Sequence, residues 1–437
     1  MHTATQSDTC SGDSLQRPLR FCHLSIFYPP YSFGGDAVYV QRLCESLARR
    51  GHDVHVIHCV DSYHALGGSG PLPPPDPIPN LTVHSLRSGW GALSPLLSQQ
   101  TGAAWFKSKA IREVLDSVSF DVIHYHNTSL FGAKVLEITP RTGRFVKVYS
   151  AHEHWLVCPM HVLWKNNREL CKTPACIRCS LHFQRPPQWW RATGLLPRAT
   201  AAVDAFLSPS RFSIRLHQER GFTREMEHLP LFVPTPESKQ PRRKPHPRPY
   251  FLFVGRLEQI KGLQEVIPVF RKYPDADLLV AGKGNFEAEL RRLAGEAKNI
   301  IFLGHIPPDQ LGALYQNAIA VVVPSLCYEV FPLVVVESSA HGVPVVAHAV
   351  GALSEMVEHG VRGLTYTSTA GLLDALEELR TKPELRNELA HNAYRHYATM
   401  WSEDTHLAAY FDILTRTATR KYGFVPWRQQ ALLAAAQ

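Results

Sequence analysis

Two glutamates, Glu329 and Glu337, stand eight residues apart in the segment PSLCYEVFPLVVVESSAHGVPVVAHAVGALSEMVEHGVRGL, residues 324–364, with the apolar run 330–336 between them. A helix starting near Pro332 puts Glu329 on the loop before it and Glu337 about a turn and a half inside. The amides of Val330, Phe331 and Leu333 are then free near the positive end of the helix, available to hydroxyls or phosphate oxygens. A carboxylate pair with this offset holds two parts of one ligand; it does not flank a bond as a glycosidase pair does. A second set lies in GRLEQIKG, where Arg256 and Lys261 are bracketed by Gly255 and Gly262 after an apolar run. A guanidinium fork and an ammonium converging there suit a diphosphate, and a solvated pair of surface charges is the competing reading. In the third, PPYSFGGDAVYVQRL, Gly34 and Gly35 let backbone approach a phosphate or hydroxyl just before a helix. A plain strand-to-helix turn competes, and the three-glycine dinucleotide fingerprint is absent.

Four of the nine cysteines, Cys158, Cys171, Cys176 and Cys179, fall within 22 residues, the last two as C-x2-C. That density fits a structural zinc site, with His161 and His182 as substitute ligands; reduced thiols in an insertion fit equally. His124 and His126 alternate on one strand, where ending the strand outweighs ligation. Arg185, Trp189, Trp190, Arg191 and Arg198 form a basic, aromatic stretch without acids. It reads either as an interfacial contact with anionic lipid or as tryptophans packed inside the domain. The DAD at residues 275–277 follows Pro274 and leads into a buried strand, so it reads as a turn and implies no catalytic metal.

These residues need two platforms. Near-continuous apolar runs at 21–28, 54–60, 81–86, 121–125, 145–151 and 205–208, then at 250–254, 277–281, 300–304, 318–323 and 343–347, read as parallel strands covered on both faces. Helical stretches at 37–50, 104–117, 262–273, 286–297 and 333–341 lie between them. The run PTPESKQPRRKPHPRP, residues 234–249, holds six prolines, five basic residues and one acid, and reads as a linker. The expected division is a disordered tail 1–20, a first α/β domain 21–233 with a cysteine-rich insertion 155–182, the linker, a second α/β domain 250–400, and a C-terminal helix in 401–437 returning to the first. Residues 67–79 read as a proline-rich surface loop. Ligands of open parallel sheets bind beyond the carboxyl ends of the strands, so two facing sheets make a deep cleft.

Composition excludes several classes. With 437 residues, 45% hydrophobic, the chain is too long for one ordinary core. Prolines (33) and glycines (27) together fall short of a low-complexity chain. Nine cysteines are an odd number for a fully disulfide-bonded secreted protein, and the polar residues 1–20 do not read as a signal peptide. The apolar stretch 330–353 is interrupted by Glu337, His341, Pro344 and His348 and does not read as a membrane span. The expectation is a cytoplasmic protein with reduced thiols. Of the net +8, the linker carries +4 and the tryptophan stretch +3, so the excess does not form a nucleic-acid-binding face.

With those segments quoted in order, the chain resembles the retaining GT-B-fold glycosyltransferases of the "group 1" family, glycosyltransferase family 4. The resemblance rests on GG after the first strand, a His ending a middle strand, GRL-x3-KG, E-x7-E, and G-x-P-V-V-A followed by VGALSEMVEHGVRGL, spanning residues 21–364, with Trp401-Ser402 opening a late helix. It implies an α/β GT-B fold, two Rossmann-like parallel-sheet domains facing a deep cleft, the first for acceptor and the second for a nucleotide-sugar. It implies catalytic roles for Glu329, Arg256, Lys261 and His152. Donor binding would fall to Gly34, Gly35, Arg256, Lys261, Val330, Phe331, Pro332, Leu333 and Glu337. Glu355 matches a Glu opening the last cleft helix. His152 is followed by Glu153-His154 where many relatives carry HD, which leaves the neighbours of the site His unassigned. The implied reaction retains anomeric configuration without an essential metal or other cofactor. Its partners are a nucleotide-sugar donor, a glycan, lipid-linked or small-molecule acceptor, and the inner face of a membrane, with no nucleic acid. A nucleotide-sugar epimerase of the same architecture and a catalytically silent sugar-nucleotide-binding module are the rival readings.

Overall fold

The computed structural model describes residues 17–70, 72–73, 76–236 and 245–428. Seven parallel strands form the first sheet: β1 (Arg20–Leu24), β2 (Asp53–Cys59), β3 (Leu81–Leu86), β4 (Val122–Tyr125), β5 (Val146–Ser150), β8 (Ala205–Ser208) and β9 (Met226–His228), in the order β3-β2-β1-β4-β5-β8-β9. Between β5 and β8 the chain makes a small antiparallel hairpin, β6 (Trp164–Lys165) and β7 (Glu169–Leu170). The second sheet has six parallel strands: β10 (Tyr250–Val254), β11 (Asp277–Ala281), β12 (Ile300–Gly304), β13 (Val321–Val323), β14 (Val345–His348) and β15 (Gly363–Tyr366), ordered β12-β11-β10-β13-β14-β15. Every residue of β4, β5, β8 and β11 is buried, the burial expected for strands roofed by helices on both faces.

Both sheets reverse strand order beside their first strand, between β1 and β4 and between β10 and β13. Such a switch point opens a crevice at the carboxyl ends. The loops leaving β1, β4 and β5 carry Gly34-Gly35, His126-Asn127 and His152; those leaving β10 and β13 carry Arg256-Lys261 and Glu329. The topology thus delivers all the polar segments to the two facing edges.

The C-terminal helix Glu403–Tyr422 starts well capped. Ser402 accepts from the Thr405 amide, Glu403 and Asp404 occupy the first turn, and Gly423 closes the far end in the left-handed region. It lies on the first domain: Tyr410 meets His124 at 2.8 Å, Arg416 pairs with Glu227 at 2.6 Å and Lys421 with Asp204 at 2.7 Å. One apolar cluster runs from β1 and the helix Gly34–Arg49 through this helix to β10, β13 and β14, so the two domains share part of their core.

Two expectations change, at the start of the first domain and at the helix 104–117. The first domain begins at or before residue 17, because Leu19 is buried and Arg17 pairs with Asp121 at 2.6 Å; the remainder of the expected tail, residues 1–16, lies outside the described residues. Residues 237–244 of the linker also lie outside them, while its ends are tied: Tyr397 donates to the Val233 carbonyl at 3.1 Å and His246 meets Asp277 at 2.5 Å. The helix expected at 104–117 starts only at Ser108, since Ala103 and Ala104 turn inward first. Among the described residues no helix is long and apolar enough to cross a membrane.

Candidate active site

The helix Leu333–Ala340 follows Pro332 and has no side-chain cap, so its first amides are left for a ligand. Glu329 lies on the preceding loop and Glu337 is inside the helix. Lys261 donates to Glu329 Oε1 at 2.6 Å, and Ser325 Oγ donates to the same oxygen at 2.7 Å. Burial pushes the Glu329 carboxyl up, but Lys261, Ser325 and Arg256 outweigh it and hold it below the usual carboxylate range. Burial likewise works against the Lys261 charge, and Glu329 holds its pKa above the ordinary lysine value. Arg256 pairs with Glu258 at 2.8 Å and keeps 53% of its side chain exposed, so its fork is free to turn toward an anion. Gly262, which turns the chain after Lys261, has φ +78, and a Cβ there would stand 1.9 Å from the Pro324 carbonyl oxygen. Only glycine lets the two motif loops pack this closely.

Glu337 reaches across to the first domain. Arg42, on the helix Gly34–Arg49, donates to its Oε1 at 3.1 Å and Tyr315 donates to its Oε2 at 3.0 Å. Gly35 faces the helix Leu333–Ala340: a Cβ there would lie 3.3 Å from Leu333 Cδ1. Val330 and Phe331 are buried, Phe331 against Trp401 at 5.9 Å, so this stretch offers backbone rather than side chains. Glu355 turns away from these groups; its oxygens accept from the amides of Arg211 (2.9 Å) and Phe212 (2.7 Å) at the start of the helix Arg211–Glu219, an interdomain tie.

His152 ends a buried chain of imidazoles. Its Nε2 lies 2.9 Å from His126 Nδ1, and His126 Nε2 lies 3.0 Å from His23 Nδ1. Burial lowers His152 and His23 to about 3, so both are neutral at neutral pH. A neutral ring has one N–H and one bare nitrogen, so the chain runs in one direction. The state of His152 Nδ1 is therefore coupled to that of His23 Nε2; both atoms are buried without a partner among the described residues. His124 instead bonds Tyr410 and Ser150, each at 2.8 Å. His124 and His126 thus do more than end a strand. With His23 they form the one group of three or more possible metal ligands drawn together among the described residues.

Asp36, one residue past the glycines, was not legible as a site residue. Its half-buried carboxyl is pushed up to about 6 by burial and then by Glu153, with Asn127 and Arg256 pulling the other way. The only signal was GGD itself. Glu153 accepts from His161 at 2.9 Å.

The four clustered cysteines differ in exposure and are set apart. Cys158 and Cys179 are buried, Cys171 is half-buried and Cys176 exposed, and no three of the four sulfurs lie within 4.8 Å of one another. His161 is committed to Glu153, and His182 is exposed on the helix Cys176–His182. The insertion also reaches the second domain. Asn167 donates to Gln259 at 3.1 Å, and a cavity of about 430 Å³ lies between Trp164, Lys165 and Leu170 on one side and Leu326 and His348 on the other. The tryptophan stretch splits: Trp189 is exposed, whereas Trp190 is buried, donates to the Gln99 carbonyl at 2.9 Å and stacks with Arg191.

Residues 234–396 match the model of the glycosyl transferases group 1, and residues 33–237 match that of glycosyltransferase family 4. An uncharacterized glycosyltransferase of Methanocaldococcus jannaschii is 27% identical over 77% of this chain and 82% of its own. Among solved structures, sucrose-phosphate synthase of Thermosynechococcus elongatus aligns with TM-score 0.70 at 19% identity, over 90% of this chain and 98% of its own. HepE of Anabaena, in complex with UDP and glucose, aligns with TM-score 0.65 at 17% identity, over 91% of this chain and all of its own. The architecture is that of the GT-B glycosyltransferases.

Proposed function

This chain is a member of the glycosyl transferases group 1 family, and from that premise we propose that it moves a sugar from a nucleotide-diphosphate-sugar to a glycan, lipid-linked or small-molecule acceptor with retention at the anomeric carbon. Lys261 and Arg256 hold the diphosphate, the first as a point charge and the second as a fork swung from Glu258. Glu337 accepts from the nucleotide ribose once Arg42 or Tyr315 yields. Glu329, with the backbone of Val330 to Leu333, orients the transferred sugar, and His152 contacts it from the first domain. Gly34 and Gly35 admit phosphate and acceptor between the domains.

The bond between the anomeric carbon and the diphosphate oxygen breaks, and the diphosphate leaves with the electron pair. A phosphate oxygen takes the proton of the acceptor hydroxyl, which attacks from the same face. Arg256 and Lys261 stabilise the charge that develops on the leaving group, so turnover is expected to survive a chelator. Asp36, beside Gly35, is assigned to the acceptor hydroxyl.

The observation that carries this reading is the meeting of Arg256, Lys261 and Glu329 at the second sheet's switch point, with Glu337 across from Gly35 and Arg42. UDP-, GDP- and ADP-glucose are to be tested for thermal stabilisation, UDP first because a protein of the same fold is known with UDP and glucose. A ligand bound only by the native state raises its melting temperature. One donor class is expected to do so, and Arg256→Ala to abolish the shift while melting normally. No shift with any of them, or release of a new nucleotide-sugar without acceptor, refutes the proposal.

A further inference from the structure

The helix Leu93–Thr101 is inverted. Its buried positions are Ser94, Pro95, Ser98 and Gln99, while Leu93, Leu96 and Leu97 are 58%, 43% and 40% exposed. Their i, i+3, i+4 spacing places the three leucines on one stripe. The polar side is fastened inward: Ser94 Oγ donates to Asp61 at 3.3 Å, and the Gln99 carbonyl accepts from Trp190. Gln100, next along the stripe, donates to the carbonyls of Pro186 and Pro187 at 2.8 and 3.0 Å, which brings the exposed Trp189 alongside. Exposed Trp90 and Trp105 flank the other end, linked through Phe106, whose ring lies 5.6 Å from that of Trp90. An apolar patch of three leucines and three tryptophans turned to solvent calls for a partner.

Charge identifies the partner. The segment that carries this helix with Trp90 and Trp105, residues 77–112, and the one that carries Trp189, residues 170–203, contain no aspartate or glutamate; together they hold nine lysines and arginines. Lys107 and Arg191 are turned inward, Lys109 pairs with Glu113 at 3.9 Å and Lys172 lines the cavity toward the second domain, but Arg87, Arg112, Arg178, Arg185 and Arg198 are exposed. A nucleic acid would use the basic residues and leave the leucines in water. A second copy of the chain would bury the leucines against an equally positive face. An anionic bilayer uses both, the leucines and indoles entering the boundary of head groups and acyl chains and the basic side chains meeting lipid phosphates.

We propose that the inverted helix Leu93–Thr101, with Trp90, Trp105 and Trp189, docks this domain onto an anionic membrane surface. The proposal stands on this face alone and is independent of the donor reading. The test is flotation of the full chain with phosphatidylcholine vesicles, with and without about one third phosphatidylglycerol, at low and physiological salt. Binding is expected on the anionic vesicles, with tryptophan fluorescence quenched by brominated lipid. Leu96→Ser/Leu97→Ser should bind at least about tenfold more weakly through lost apolar burial, and Arg178→Glu/Arg185→Glu should weaken only the anionic case. Both variants should keep the parent melting temperature and nucleotide binding, because every altered side chain is exposed. No binding to anionic vesicles, equal binding by the leucine variant, or a leucine variant that converts a dimer to a monomer in light scattering overturns the proposal.

Discussion

Replacing Glu329 with Gln and, separately, Lys261 with Met separates a ligand-binding ion pair from a structural one. The two charges meet at 2.6 Å with side chains 14% and 24% exposed. Removing one partner of a fully buried pair costs about 3–5 kcal/mol, and the residual exposure here reduces that to roughly 2 kcal/mol. For a chain of this size such a loss lowers the melting temperature by only a few degrees, so both variants should fold. As a structural pair, either loss would affect ligand binding alike. As a donor site, the two charges act oppositely on a diphosphate. Lys261→Met loses a charge-assisted contact of about 1.5–3 kcal/mol, weakening UDP binding roughly 10- to 100-fold. Glu329→Gln removes a repelling carboxylate and frees Lys261, so UDP binding should hold or tighten. Its turnover should still fall about 10- to 100-fold, through loss of the acceptor that orients the sugar. Titration calorimetry with UDP and initial rates read both quantities. Linkage fixes the pH window. The lowered Glu329 carboxyl contributes stability above its unfolded value and loses it as pH falls through the folded one; the raised Lys261 does the reverse at high pH. Between those limits the contrast should be flat with pH. Equal weakening of UDP binding in both variants refutes the reasoning.

Gly262→Ala should lower stability by at least about 3 kcal/mol, or prevent folding, because the new Cβ meets a carbonyl oxygen at 1.9 Å in a left-handed backbone; a melt within a degree or two of the parent contradicts the packing. His126→Phe leaves His152 Nε2 unpartnered and should lower kcat about tenfold or more with a smaller change in KM for donor, whereas unchanged kcat removes His126 as the residue that positions His152. Asp36→Asn should stabilise the protein by about 1 kcal/mol at pH 8 and not at pH 4, because a carboxyl raised to about 6 favours folding only while protonated; paired melts check this, and an equal shift at both pH values counts against it. With a thiol reagent, exposed Cys176 should react first and buried Cys158 and Cys179 last. Four uniformly protected thiols together with bound zinc would contradict the separated sulfurs.

Much of the scaffold was legible because parallel strands roofed on both sides are simply apolar. The runs at 81–86, 205–208, 250–254, 277–281 and 300–304 coincide with β3, β8, β10, β11 and β12. The edge strands β9 and β15 were missed, being three and four residues long, with Glu227 and His228 in one and Gly363 and Thr365 in the other. Local motifs placed Glu329, Lys261 and Arg256. Spacing could not reveal the partner of Glu337, since Arg42 lies 295 positions away and meets it only through the meeting of the domains. Of the histidine chain, His126 and His152 stood out in the sequence, but not their contact or His23. His23 comes from β1, paired beside β4 on one side, and His152 from just past β5 on the other. The inverted helix was invisible to periodicity, which finds an apolar stripe but not the side on which the core lies.

The proposed transfer at the Arg256, Lys261 and Glu329 site takes a sugar from a nucleotide-sugar with retention. Following the anomeric proton by NMR during turnover, with the stabilising donor and an accepting glycan, tests it most directly. One nucleoside diphosphate is expected per glycoside formed, with the product carrying the donor's anomeric configuration from its first appearance. An inverted anomer, or a sugar found covalently attached to Asp36 or Glu153 when the reaction is quenched, would contradict it.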